Sequence, residues 1–192
     1  MSDFSIYFDL GWHHIISWDA LDHILFVIAL SAIYLLRDWK QVLVLVTAFT
    51  IGHSLTLALS VYDIIRIKPA LVEFLIPCTI ILTGIFNLFQ NRFDTKGLRF
   101  NYLIALFFGL IHGLGFANTI RFMLMGEGSI GWGLFSFNIG LEAGQVVVVA
   151  AILLLSYIAV DKARLPRKWW VAALSLLSIA MAMKMVFDRW AF

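Results

Sequence analysis

The chain has 192 residues, 62% of them hydrophobic and 14% charged, with a formal net charge of +2 and a mean hydropathy of +0.94. A soluble domain is nearer half apolar, so this composition points to an integral membrane protein with several spans. The small net charge gives no basis for a nucleic-acid partner, and a lone cysteine, Cys78, excludes an internal disulfide and a multi-cysteine metal site.

The segment Met1 to Leu10 has no Lys or Arg. It lacks the basic start of a cleaved signal peptide, so the first span is expected to be retained. Residues 1–17 read as a short amphipathic lead, whose Trp12, His13 and His14, with Trp18, suit the membrane interface. Apolar spans follow over residues 18–36, 41–62, 70–89, 100–123, 131–160 and 169–187. Each reaches or approaches the ~20 residues that cross a bilayer. Pro69 suits the first turn of the third span. The segments between them are polar or basic, and Gly126-Glu127-Gly128-Ser129 reads as a turn. The expected fold is all-α: one transmembrane domain over residues 1–192, a bundle of six helices.

Lys and Arg set the orientation. One side carries nine: Arg37, Lys40, Arg92, Lys96, Arg99, Lys162, Arg164, Arg167 and Lys168. The other carries four: Arg66, Lys68, Arg121 and Arg189. The richer side is expected to be cytoplasmic, with both termini extracytoplasmic. At ~1.5 Å per residue, His23 then lies about 8 Å into the membrane, His53 and His112 about 13 Å, and Glu142 about 15 Å. Four ionisable groups on four spans thus fall in the outer half at overlapping depths.

Helical spacing groups these residues further. Asn138, Glu142 and Gln145 share a face of the fifth span; Phe49, His53 and Thr56 share one on the second; Gly109, His112 and Phe116 share one on the fourth. Asp19 falls on the His23 face of the first span, with Asp22 turned away. Three imidazoles and a carboxylate at one depth suit a divalent transition metal such as Ni, Co or Zn. His23, His53, His112 and Glu142 are the candidate ligands. Asp22, Thr50, Ser54, Asn138 and Gln145 would orient them or hold bound water. The competing reading of any single membrane histidine is an interhelical hydrogen-bond donor. No Gly-x-Ser-x-Gly, His-Glu-x-x-His or Walker pattern is present.

Four blocks carry a family resemblance: Asp22-His23-Ile24-Leu25-Phe26, the stretch Thr47 to Leu57 around Gly52-His53-Ser54, Phe108-Gly109-Leu110-Ile111-His112-Gly113-Leu114-Gly115-Phe116-Ala117, and Phe137-Asn138-Ile139-Gly140-Leu141-Glu142-Ala143-Gly144-Gln145. In these the chain resembles the HupE/UreJ family of small bacterial membrane proteins, in particular its second subfamily. The resemblance implies a multi-pass protein of the bacterial cytoplasmic membrane, in contact with lipid, that carries nickel or cobalt.

Two functions remain open. One is transport or delivery of a divalent ion through the His/Glu site. Against it, the inner halves of the second, fourth and fifth spans are almost wholly apolar, so inward passage needs the bundle to rearrange. The other is an outward-facing intramembrane zinc hydrolase acting on a lipid or peptide, with Glu142 or Asp22 as general base. Homo-oligomerisation is left open by the sequence.

Overall fold

The computed structural model describes residues 3–17, 20–90, 98–124 and 130–190. Among them the chain is all-helical, without strands. Trp18, Asp19, most of the polar loop after the third span and the 126–129 turn lie outside the described residues. The helices are α1 (Asp3–Ile16), α2 (Leu21–Ser31), α3 (Trp39–Val61), α4 (Pro69–Phe89), α5 (Leu98–Gly115), α6 (Ala117–Leu124), α7 (Ile130–Ser156) and α8 (Arg167–Asp188). A 3-10 turn, Leu36–Asp38, precedes α3, and a π-helical turn, Tyr157–Lys162, extends α7.

Four helical stretches are long and apolar enough to cross a membrane: Leu36–Val61, Pro69–Phe89, Ile130–Lys162 and Arg167–Asp188. The bent pair α1–α2 makes a fifth if counted as one span. These agree with the expected second, third, fifth and sixth spans, and Pro69 does open its helix. The other two expected spans are built differently. The first, expected over 18–36, holds the short helix α2, which meets α1 of the expected lead at 66°. α1, expected as an amphipathic lead, packs along α7. The fourth is interrupted: α5 stops at Gly115 and α6 restarts at Ala117. Glycines each cost a helix about 1 kcal/mol relative to alanine, and Gly113 and Gly115 fall together just before the break.

Small residues decide the packing. A side-chain carbon at Gly11 would overlap the Phe137 carbonyl, and one at Gly140 the Phe8 carbonyl, so α1 and α7 cross backbone against backbone. The α3–α5 pair repeats the device, with Gly52 against the Leu106 carbonyl and Gly109 against that of Phe49. This is how helices associate where lipid removes the hydrophobic drive and close packing must replace it. The main core gathers around Phe26, Leu45, Phe49, Ile80 and Phe108. Outward-facing side chains include Phe86, Phe89, Leu155 and Phe187, as expected of a surface solvated by lipid.

Candidate metal centre

The α3–α5 crossing sets the level of the site. A side-chain carbon at Gly113 would overlap the His53 carbonyl, so α5 lies directly against α3 at His53. His53, on α3, and His112, one residue before Gly113, are both fully buried. His23 enters from the first turn of α2 and is also buried. The fourth imidazole comes from α1: His14 lies with its ring 4.7 Å from that of His23 and 6.1 Å from that of His53. His112 stands on the other side of His23, ring centres 5.0 Å apart. One ring nitrogen each from His14, His23 and His53 falls within 4.8 Å of the others.

The same histidines carry unpaired nitrogens. His14 Nε2, His23 Nε2, His112 Nδ1 and both nitrogens of His53 are buried without a hydrogen-bond partner among the described residues. Each such orphan costs about 1–3 kcal/mol unless something occupies its lone pair or proton. Two of the remaining nitrogens, on His23 and His112, have partners that bear on the tautomer. His23 Nδ1 meets Asp22 Oδ1 at 3.0 Å, so it carries the proton and leaves Nε2 as the lone pair. Thr79 Oγ1 donates to the Ile76 carbonyl at 2.7 Å. With its proton held there, it accepts from His112 Nε2, 2.9 Å away, and in that arrangement Nδ1 of His112 is the lone pair. Clustered imidazoles from separate helices, two of them held through one ring nitrogen, are the donor set a borderline divalent metal takes. The residues fit such an ion.

Aromatic rings wall the cluster. Phe26 and Phe49, stacked at 4.7 Å, lie against His112 at 5.0 and 5.1 Å. Phe116, at the α5–α6 break, sits 4.1 Å from the His14 ring and stacks on Phe137 at 5.3 Å. One side stays open. A cleft of about 240 Å³ reaches His14, His23 and His112 past Asp22, Glu73 and Arg189. At its mouth Arg189, which ends α8, donates to Asp22 Oδ2 at 3.3 Å and to the Glu73 carbonyl at 3.1 Å. That carbonyl is available because Pro77, four residues on, has no N–H to give it.

The structure therefore brings together His23, His53 and His112, with Asp22 bonded to the first. It seats the other expected residues along the adjoining α3–α7 seam. Thr47 Oγ1 donates to Glu142 at 2.7 Å and Thr50 Oγ1 to Gln145 at 2.8 Å. Ser54 returns its proton to the Thr50 carbonyl, and Asn138 its amide to that of Leu134. Thr79 and Arg189 were not legible as site residues, and His14 only as a side chain that could capture ions at an entrance. His14 read as an interfacial side chain because nothing in the sequence marks the turn between α1 and α2. Thr79 carried one available signal: with Thr83 and Asn87 it makes a polar row at four-residue spacing in an otherwise apolar span.

Fold and site together define a multi-pass helical membrane protein with a buried cluster of histidines. The chain belongs to the HupE/UreJ family: the family model described as HupE / UreJ protein matches residues 1–191, and the resemblance drawn from the four sequence blocks is borne out. No curated protein and no solved structure matches the chain.

Proposed function

We propose that this chain carries or delivers a divalent transition-metal ion of the nickel and cobalt class. The ion, as cargo, is taken up at His14, His23 and His53 with His112 beside them. The observation that carries the reading is the convergence of three histidines from separate helices, each with an unpaired buried nitrogen, inside a membrane protein. Membership of a family associated with nickel and cobalt transport supports the choice of cargo. In this reading residues 1–192 form one domain of six spans: the bent α1–α2 pair, α3, α4, the broken α5–α6 pair, α7 and α8. The cluster opens to the outside of the bacterial cytoplasmic membrane, the side expected to hold both termini. Glu142 and Gln145, bonded by Thr47 and Thr50, are read as bracing the α3–α7 seam beside the cluster.

The test is nickel uptake into proteoliposomes alongside nickel binding to the purified protein. Saturable uptake that His112→Ala abolishes supports transport. A second reading, a zinc-dependent hydrolase, is favoured by one feature: the cleft opens onto three histidines and leaves room for water and a substrate beside an ion they hold. The carboxylates considered as its base are engaged elsewhere, Asp22 by Arg189 and Glu142 by Thr47. Metal retained without any uptake moves the balance to this reading.

A further inference from the structure

Two clefts enter the bundle from opposite ends, and they approach each other at Thr79. The first is the one that reaches the histidines; on α4 it extends as far as Ile76. The second, of about 320 Å³, lies at the far end of α2 and α4, and on α4 it begins at Thr83. Its polar lining is Tyr34, Thr83, Asn87, Gln90 and Asn101. Thr79 lies between the two clefts, buried, with its oxygen on His112 Nε2.

Thr79, Thr83 and Asn87 stand at four-residue spacing and so share one face of α4, and all three are buried. From first to last they cover ~12 Å along the helix. The direct way down from the histidines is closed by the rings of Phe26, Phe49 and Phe108. This face of α4 is instead lined with oxygen. Thr83 donates to the Thr79 carbonyl at 2.8 Å, and Asn87 Nδ2 to the Ala29 carbonyl at 2.7 Å, which leaves the Asn87 amide oxygen to accept. Asn101 Nδ2 donates to the Tyr34 hydroxyl at 3.1 Å, which leaves the Asn101 amide oxygen free in the same way. Pro77 removes one helix hydrogen bond a half-turn before Thr79, at the place where α4 must flex if the two clefts are to open in turn.

We propose that the second cleft is the vestibule through which the ion leaves, and that the Thr79–Thr83–Asn87 face of α4 is the route between the clefts. The proposal rests on the transport reading above and supplies what the apolar inner halves of the other spans lack. Hydroxyl and amide oxygens suit a divalent ion that keeps part of its water shell, and bind it more weakly than imidazole does, so it can move on. If the three residues served packing alone, their side chains would be dry and the second cleft filled with lipid.

Two measurements test this. In a Cys78→Ala background, Glu73→Cys, Thr83→Cys and Asn87→Cys are treated in sealed vesicles of each orientation with a charged, membrane-impermeant thiol reagent. The Thr83 and Asn87 variants are expected to react from one side of the membrane and the Glu73 variant from the other. In proteoliposomes, the Thr83→Val, Asn87→Leu double variant is expected to carry nickel about tenfold more slowly, as loss of polar contacts along the path raises the barrier. Its nickel binding in detergent should be unchanged, which also shows that it folds, and Asn87→Gln should carry nickel faster than Asn87→Leu. Absence of labelling at Thr83 and Asn87, labelling from the Glu73 side, or uptake at the full rate by the double variant overturns the route. When the unaltered chain nevertheless carries nickel, the transport reading survives that result. An unaltered chain that binds nickel and carries none removes the transport reading, and the route with it.

Discussion

Thr79 has one proton to give and gives it to the Ile76 carbonyl, so its oxygen meets His112 as an acceptor. That arrangement puts the lone pair of His112 on Nδ1, in the ring that lies 5.0 Å from His23. Thr79→Val keeps the shape and removes the acceptor. Outer partners of this kind are worth about 10- to 100-fold in metal affinity, and a loss of that size is expected for nickel. Titration calorimetry in detergent would show it, and Thr79→Ser should restore the affinity; an unchanged constant in Thr79→Val would mean that His112 does not ligate through Nδ1. The seam residues call for the opposite expectation. Glu142 is held by Thr47 and Gln145 by Thr50. Glu142→Gln should therefore leave nickel stoichiometry as it is, while His23→Ala lowers it in the same equilibrium-dialysis experiment. The sequence brought out His23, His53 and His112 because polar groups at matching depths in apolar spans are conspicuous. It grouped Glu142 with them by depth, and depth along a helix says nothing about which neighbour its face meets.

At the scale of elements, the glycines on α3 and α5 hold the histidines in register. The atoms that a side chain would strike at Gly109 belong to the backbone of Phe49 and His53, which cannot swing aside. Gly109→Ala is expected to force the pair apart at a cost of about 1–3 kcal/mol and to weaken nickel binding with it. Gly131→Ala makes the control, because its nearest neighbour would be the Tyr62 hydroxyl at 3.7 Å, an ordinary contact. Thermal unfolding in detergent should lower the midpoint of the first variant and leave that of the second. The connection from α3 to α4 has its own brace. Asp63, in the left-handed region at φ 62, bonds Arg66 and, at 2.9 Å, Arg121 of α6. The Arg66 guanidinium first, and then that of Arg121, hold the Asp63 carboxyl below the usual carboxylate range. A depressed folded value stabilises above the unfolded value of about 3.9 and stops doing so as pH falls through the folded one. Acidification below about pH 4 should therefore lower the unfolding midpoint of the unaltered chain more than that of Asp63→Asn, as the brace is lost only where it existed. Hydropathy located α3, α4, α7 and α8 because each is one unbroken apolar helix. It could not find the bend between α1 and α2 or the break at Phe116, since a window average registers how apolar a stretch is and not whether its axis turns.

For the whole molecule, the bundle closes where its last helix returns to α2 and α4. Arg189 ends α8 and bridges Asp22 of α2 to the Glu73 carbonyl of α4, so one guanidinium joins three helices across the mouth of the cleft. It also stands where a dication must pass. Two carboxylates, Asp22 and Glu73, draw the ion in, and Arg189 offsets that field. Replacing it with glutamine keeps a donor for Asp22 and removes the positive charge. Nickel should then load faster onto Arg189→Gln than onto the unaltered protein, by about threefold to tenfold at low ionic strength, because steering by surface charge acts on the association rate. The advantage should shrink as salt is added and the screening length falls to about 8 Å near 0.15 M. Stopped-flow loading at several salt concentrations reads both effects, and the amount of nickel bound at saturation should not change. Slower loading, or a site that no longer fills, would assign Arg189 the other role its geometry allows: holding Asp22 against His23, so that the cluster depends on the closing of the bundle rather than on access to it.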